Sequence, residues 1–213
     1  LHDKGHQFGS HTDSEVILHG YEEYGADVVT HLRGMFAFGL YDTGRKRLLL
    51  ARDRIGIKPL YYTQRGEKLV FASEIKAILE DSGVERAVNH QALYDYLGFE
   101  FVPSPQTMFA GINKLPAGHL LIFENGQVNV RRYWDLSFCQ QLPMVRYEEA
   151  VEQLRAHLDT AVKSHLVSDV PLGVFLSGGL DSSCIVALMR RHITGPFKTF
   201  TIGYEDKSYS EID

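Results

Sequence analysis

The stretch from Leu172 to Ser183 constrains this chain more than any other. Leu172-Gly173-Val174-Phe175-Leu176 is an apolar run of strand length. It passes directly into Ser177-Gly178-Gly179-Leu180-Asp181-Ser182-Ser183, and a helical pattern covers Ser182 to His192. A second strand pattern follows from Thr199 to Tyr204. Strand, glycine loop, helix and strand form the opening unit of a parallel α/β domain, because parallel neighbours need a crossover and a helix supplies it. Two adjacent glycines let the backbone turn its N–H groups inward as an anion nest. The N-terminus of the following helix adds its positive dipole end. Ser177, Ser182 and Ser183 offer hydroxyls. Asp181 is acidic beside a place suited to anions, an arrangement favoured when a divalent cation bridges carboxylate and phosphate. No Lys follows the glycines, so the pattern is not Walker A. Nor does it have the glycine spacing of the dinucleotide fingerprint. Two glycines alone would be read as a plain turn; the whole string between strand and helix predicts a phosphate-type cradle.

Upstream the pattern is different. Thr12-Asp13-Ser14-Glu15 is a capping box, and Val16, Ile17, Leu18, Tyr21 and Tyr24 continue it as a helix. Met35 to Tyr41 and Leu48 to Ala51 are strand-like runs around Asp42-Thr43-Gly44-Arg45, which reads as a hairpin. Leu60-Tyr61-Tyr62 and Leu69-Val70-Phe71-Ala72 flank Gln64-Arg65-Gly66-Glu67, a second hairpin. Short helices are expected near 74–80 and 90–97, and Pro103-Ser104-Pro105 forces a loop. His119 to Phe123 and Val128 to Tyr133 enclose Glu124-Asn125-Gly126-Gln127, a hairpin specified by Asn-Gly. The character of the chain changes at 140–146, read as a linker. From Tyr147 to Val167 a helix is expected, with Ala150, Val151, Leu154, Leu158, Ala161, Val162 and Leu166 on one face. The domain reading is therefore 1–139, linker 140–146, and 147–213. Leu1 at the start and Glu211-Ile212-Asp213 at the end are read as interior points of a longer protein.

Composition excludes some classes. A net charge of −5 gives no general grip on nucleic acid or on an anionic membrane. No apolar run approaches the roughly 20 residues that a membrane-spanning helix needs. The two cysteines, Cys139 and Cys184, lie in different kinds of segment, which argues against a disulfide framework and for a reducing cytoplasm. Cys184 is expected to be a small buried residue of the helix after the loop. His2, His6 and His11 cluster near the start but form an incomplete metal-ligand set. Arg52, Asp53 and Arg54 are read as a structural ion-pair loop before Gly56. Trp134 and Tyr133 are placed where the first domain closes. Arg190-Arg191-His192 falls at a helix C-terminus, where cations favour the dipole.

The string from Ser177 to Ser182 matches the PP-loop of the N-type ATP pyrophosphatases, and the chain as a whole resembles the glutamine-dependent asparagine synthase family. The resemblance runs, in family order, through Gly9-Ser10-His11-Thr12-Asp13-Ser14-Glu15-Val16-Ile17-Leu18, Leu32-Arg33-Gly34-Met35-Phe36-Ala37-Phe38 and Ala51-Arg52-Asp53-Arg54-Ile55-Gly56-Ile57-Lys58-Pro59-Leu60-Tyr61-Tyr62. It continues through Phe71-Ala72-Ser73-Glu74-Ile75-Lys76-Ala77, Lys114-Leu115-Pro116-Ala117-Gly118-His119 and Asp169-Val170-Pro171-Leu172-Gly173-Val174-Phe175-Leu176.

That resemblance implies an α/β plus α+β chain. Its first part would be a partial Ntn-hydrolase glutaminase of antiparallel sheets with helices. Its second would be the start of a Rossmann-like N-type ATP pyrophosphatase domain. It implies that glutamine is hydrolysed by an N-terminal Cys and that ammonia passes through a tunnel to a second site. There aspartate is adenylated with ATP and Mg²⁺, and ammonia displaces AMP. Asp13 resembles the acidic residue that holds the α-amino group of glutamine. Leu176 and Ile202 resemble the two nucleotide-contacting residues at strand ends. Ser177, Gly178, Gly179, Leu180, Asp181 and Ser182 resemble the pyrophosphate cradle, with Asp181 a Mg²⁺ ligand. The chain departs from the family where it opens on Leu1 rather than the nucleophilic Cys. The chain as it stands is accordingly expected to lack glutaminase activity, and, with part of the family's adenosine pocket outside it, to bind nucleotide weakly. The partners implied are glutamine, aspartate and ATP, with a cytoplasmic homodimer by analogy. Two alternatives stay open: an amidoligase or amidotransferase on another carboxylate acceptor, and a catalytically incomplete chain acting as a binding module.

Overall fold

The computed structural model describes residues 1–138 and 145–203. The chain divides into two compact units, Leu1–Phe138 and Cys139–Asp213. Cys139, most of the expected linker, Tyr204 and the terminal Glu211-Ile212-Asp213 lie outside the described residues.

In the first unit a single turn of 3-10 helix, His2–Lys4, precedes α1, Asp13–Tyr24. The predicted cap is present: the Thr12 hydroxyl accepts the Glu15 N–H at 3.4 Å. The Glu15 carboxylate reaches past Thr12 and accepts from the N–H groups of Gly9 and Ser10 at 2.6 and 2.7 Å. A one-turn helix, α2 (Val28–His31), packs closely on α1, since a Cβ on Gly20 would stand 2.7 Å from Val28 Cγ2. Four strands, β1 (Ala37–Asp42), β2 (Arg47–Arg52), β6 (His119–Glu124) and β7 (Gln127–Arg132), form an antiparallel sheet in the order β1-β2-β6-β7. Between β2 and β6 the chain makes a second antiparallel sheet, β4-β3-β5, from β3 (Tyr61–Arg65), β4 (Lys68–Ala72) and β5 (Asn113–Lys114). Two further helices are α3 (Ile75–Ile78) and α4 (His90–Phe99).

Strand alternation assigns the core. Leu49, Ala51 and Leu120 face α2 and cluster with Val28 and Val29. Their neighbours Leu50 and Leu121 face the other way, onto Leu60, Leu115 and the half-buried Tyr62 and Leu69 of the second sheet. The far side of that sheet is covered by α3, where Ile78, Val84 and Ile112 collect Tyr61 and Val70. The unit is thus layered helix, sheet, sheet, helix, with antiparallel sheets as expected. Each fully buried leucine contributes roughly 1.5–3 kcal/mol. Three expectations need adjusting. The first strand starts at Ala37, and Met35 is exposed. The helix expected near 74–80 is one turn, Ile75–Ile78. Val16 and Leu18 are exposed on α1, which packs through Ile17 and Tyr21.

The Arg52-Asp53-Arg54 knot is structural but is not an ion-pair loop. Asp53 is 1% exposed. Its carboxylate accepts the N–H groups of Ile55, Ile57 and Lys58 at 3.2, 3.0 and 2.9 Å. Burial pushes its pKa up, but the amides of Lys58, Ile57, Gly56 and Ile55 outweigh burial and hold it below the ordinary value. The arginines bind carbonyls instead: Arg52 donates to Lys58, Leu115 and Gly56, and Arg54 to Leu32 and Thr30. Backbone groups turned inward by the tight loop give each charge better-placed partners than the adjacent side chains could.

The second unit opens with α5, Tyr147–His165. Then come β8 (Gly173–Phe175), α6 (Leu180–His192) and β9 (Lys198–Phe200), with β8 and β9 parallel and Phe175 opposite Phe200. Val162 of α5 and Met189 of α6 are its buried apolar side chains among the described residues. At the end of α6, Arg190 donates to the carbonyls of Ile193 and Gly195, as a helix C-terminus favours. Arg191 and His192 pair with Asp159 of α5. Cys184 is exposed, contrary to expectation. Ile185 and Met189 share the apolar cleft beside α5, and Cys184 lies about 100° round the helix from Ile185.

Candidate functional site

The loop of interest begins where β8 ends. Leu176 N–H donates to Phe200 O at 2.9 Å, and the Thr201 hydroxyl donates to Leu176 O at 2.6 Å. These bonds fix the start of the loop against the end of β9. Leu176 and Ile202 thereby flank the carboxyl ends of two adjacent parallel strands, where open α/β sheets bind ligands. Thr201 was not singled out from the sequence; its hydroxyl at a strand end was the available signal.

Beyond Leu176 the chain turns sharply. Gly178 adopts φ 85°, a conformation that favours glycine. Gly179 caps α6, and no side chain caps the helix there, leaving first-turn N–H groups for a ligand or water. Ser182 ties the loop together: its hydroxyl accepts the Ser177 N–H at 3.3 Å, lies 3.2 Å from Ser177 Oγ, and donates to Gly179 O at 3.1 Å. Asp181 stands exposed in the first turn, and Leu180 and Ile202 are 86% and 65% exposed. The loop thus sets amides and hydroxyls at the positive end of a helix of thirteen residues, with Asp181 in its first turn. Exposed amides and hydroxyls at a helix N-terminus are groups that can bind phosphate oxygens, and Asp181 is the nearby carboxylate that could hold a divalent ion.

Asp13 belongs to the other unit. It opens α1 and lines a cleft of about 440 Å³ with Leu1, Phe8, Ser10, His11 and Thr12. Its carboxylate accepts the Ser14 hydroxyl at 3.4 Å. Asp13 and the glycine loop are therefore elements of separate units. Of the three clustered histidines, His6 lies against His19 and Glu22 of α1 rather than against His2 or His11. The i, i+3 spacing of His19 and Glu22 was a legible helical signal.

A family model described as a glutamine amidotransferase domain matches residues 1–134, and one described as asparagine synthase matches 153–213. The glutamine-hydrolysing asparagine synthetase 3 of Bacillus subtilis is 39% identical over 97% of this chain and 34% of its own length. Asparagine synthetase 1 of the same organism is 36% identical over 100% of this chain and 33% of its own. Amidase chyE of Penicillium rubens is 36% identical over 95% of this chain and 32% of its own. The chain thus spans about a third of the length of these curated relatives. Among solved structures, a glutamine phosphoribosylpyrophosphate amidotransferase from B. subtilis is 17% identical with a TM-score of 0.41, covering 96% of this chain and 42% of its own.

Proposed function

The chain belongs to the glutamine amidotransferase domain family, with residues 1–134 carrying the match, and on that premise we propose that it is part of a glutamine-hydrolysing asparagine synthase. The observation that carries this reading is succession: an amidotransferase match is followed in one chain by an asparagine synthase match that contains the β8–α6 loop. The overall reaction is ATP, L-aspartate, L-glutamine and water to L-asparagine, L-glutamate, AMP and diphosphate. The aspartate carboxylate attacks the α-phosphorus of ATP and diphosphate leaves. Ammonia from glutamine then adds to the activated carbonyl and AMP leaves. Dividing amide synthesis this way replaces one difficult displacement by two easier ones, both with water excluded.

In this reading Asp13 holds the α-ammonium group of glutamine by charge. Leu176 and Ile202 contact the nucleotide at the strand ends. Ser177, Gly178, Gly179, Leu180, Asp181 and Ser182 cradle the pyrophosphate, a role supported by the left-handed Gly178, the uncapped α6 N-terminus and the paired serine hydroxyls. Asp181 would be the ligand of Mg²⁺, and the ion would offset phosphate charge. The partners are small molecules rather than nucleic acid, and the enzyme is a cytoplasmic homodimer. No helix among the described residues is long and apolar enough to cross a membrane. The domain reading 1–139, linker 140–146 and 147–213 belongs to the same proposal.

A second reading concerns the acceptor. Amidase chyE, and Amidase chry2 of Gibberella zeae at 38% over 86% of this chain, stand as near in identity as the synthetases do. An acceptor carboxylate other than aspartate is compatible with that. The full-length protein, given amide-¹⁵N glutamine, aspartate and ATP, is expected to yield labelled asparagine with one AMP per product. AMP formed on another acid, with no label in asparagine, would select the second reading. Asp181→Asn is expected to slow AMP formation on the order of 10²-fold, the scale seen when a transition-state charge partner is lost. Unchanged AMP formation would remove the loop assignment.

A further inference from the structure

Three potential metal ligands converge beside α1, away from the glycine loop. His6 Nδ1 lies 3.2 Å from His19 Nδ1. Glu22 Oε2 lies 3.0 Å from His19 Nδ1 and 3.6 Å from His6 Nδ1. A tetrahedral zinc ion has ligand distances of about 2.0–2.2 Å, so its ligand atoms sit roughly 3.3–3.5 Å apart. The observed triangle brackets that edge length. Hydrogen bonding alone satisfies it poorly. A neutral imidazole carries a proton on only one nitrogen, yet His19 Nδ1 faces both another imidazole nitrogen and a carboxylate oxygen at close range.

A second observation points the same way. The far nitrogen of each ring faces a different carboxylate: His6 Nε2 is 3.5 Å from Glu23 Oε2, and His19 Nε2 is 3.7 Å from Glu15 Oε1. A carboxylate behind a histidine fixes the ring and raises its basicity toward a metal. Both carboxylates are themselves anchored, Glu15 by the N–H groups of Gly9 and Ser10, and Glu23 by Lys4. The histidine side chains are 15% and 21% exposed while that of Glu22 is 64% exposed, so a fourth ligand position faces solvent.

We propose that His6, His19 and Glu22 bind a zinc-class divalent cation, with water as fourth ligand. The ion staples the N-terminal segment to α1. Phe8, whose ring stands edge-on to His19 at 4.8 Å, belongs to that segment and lines the Asp13 cleft. The ion therefore also steadies one wall of the cleft.

The test uses the 213-residue chain, stripped with chelator and titrated with Zn²⁺ against a chromogenic competitor. One equivalent is expected to bind. Both His19→Gln and Glu22→Gln are expected to weaken binding by at least 10-fold, and Glu23→Gln by about 10-fold through His6. His11→Ala should bind as the wild type does. Glu22 is exposed, so Glu22→Gln should keep the metal-free circular dichroism melt of the wild type while losing the upward shift that Zn²⁺ gives it. Co²⁺ should give the intense visible bands of a tetrahedral site, lost in His19→Gln. Absence of stoichiometric binding, or equal affinity in the wild type and both ligand variants, would overturn the proposal.

Discussion

Replacing Asp53 by Asn changes one atom and should cost far more than its size suggests. Oδ1 holds the N–H groups of Ile55 and Ile57, and Oδ2 holds that of Lys58 at 2.9 Å. In the variant an amide oxygen can keep the first two as neutral hydrogen bonds, each weaker by about 1 kcal/mol than its charge-assisted form. The new NH₂ group then meets the Lys58 N–H donor to donor, and a buried unsatisfied amide costs about 1–3 kcal/mol. Against this, the neutral side chain avoids part of the desolvation cost of a carboxylate that is 1% exposed. The net expectation is a loss of about 2–3 kcal/mol. Trp134, the single tryptophan, is a local reporter. Its backbone N–H donates to Gly118 O, and Gly118 N–H donates to Asp53 O. Urea unfolding followed by its fluorescence should show a midpoint lower by about 1 M, for a slope of 2–3 kcal/mol/M. The pH dependence follows from the depressed folded pKa of Asp53. Its contribution is fully present above the unfolded value near 4 and is lost as pH falls through the lower folded value. Wild type and variant should therefore converge in acid. A midpoint unchanged at neutral pH would refute the reasoning, as would a difference that persists below the folded pKa.

Gly118→Ala should destabilise the same unit by at least about 2 kcal/mol, because Gly118 has φ 66° and its added Cβ would stand 2.6 Å from Trp134 O; an unchanged urea midpoint would contradict this. Tyr133 donates to Arg52 O at 2.8 Å, and burial pushes its pKa up to about 12. The neutral phenol's contribution is present below the unfolded value near 10 and is lost as pH rises through about 12. Wild-type minus Tyr133→Phe tyrosinate absorbance should show that late ionisation, and a step centred near 10 would contradict it. Glu15, held by the Ser10 hydroxyl and the Gly9 amide, has its pKa lowered to about 2. Glu15→Gln should lower the melting temperature above about pH 4.3, with the difference vanishing as pH falls through about 2; equal melting temperatures at neutral pH would count against the cap.

Hairpins were legible wherever turn chemistry was explicit. Asn125 and Gly126 both take left-handed φ, as a two-residue hairpin turn requires, and β6 and β7 pair outward from them through Glu124 and Gln127. The capping box placed the start of α1, and the glycine string placed the β8–α6 junction. Other features depended on tertiary context. β5 has two residues, too few for a periodic signal, and exists because Tyr61 and Tyr62 lie alongside to pair with it. Arg52 and Asp53 looked like an ion pair because they are adjacent, but the Gly56 turn offered both of them backbone partners. His6 and His19 are far apart in sequence, and the turn before α1 had to be known before they could be seen to meet. Cys184 was expected inside on residue type alone, which says nothing of which side of α6 it occupies. The order strand, glycine loop, helix is as the residues suggested, while the roles of the loop residues and of Asp13, Leu176 and Ile202 rest on resemblance.

The insertion of one sheet between two strands of another has a consequence for synthesis of the chain. β2 emerges early with Leu48, Leu49, Leu50 and Ala51 along it, yet its second hydrogen-bonding partner, β6, begins only at His119. At roughly 5–20 residues per second, a ribosome needs several seconds to cover that interval. Meanwhile the β1–β2 hairpin presents an apolar strand with a free edge, the kind of template that recruits other nascent chains. The β3–β4 hairpin is finished first and can lie over one face of β2, but it leaves the edge open. Only β6 closes it, so the time until that strand emerges and pairs sets how long the growing chain is vulnerable.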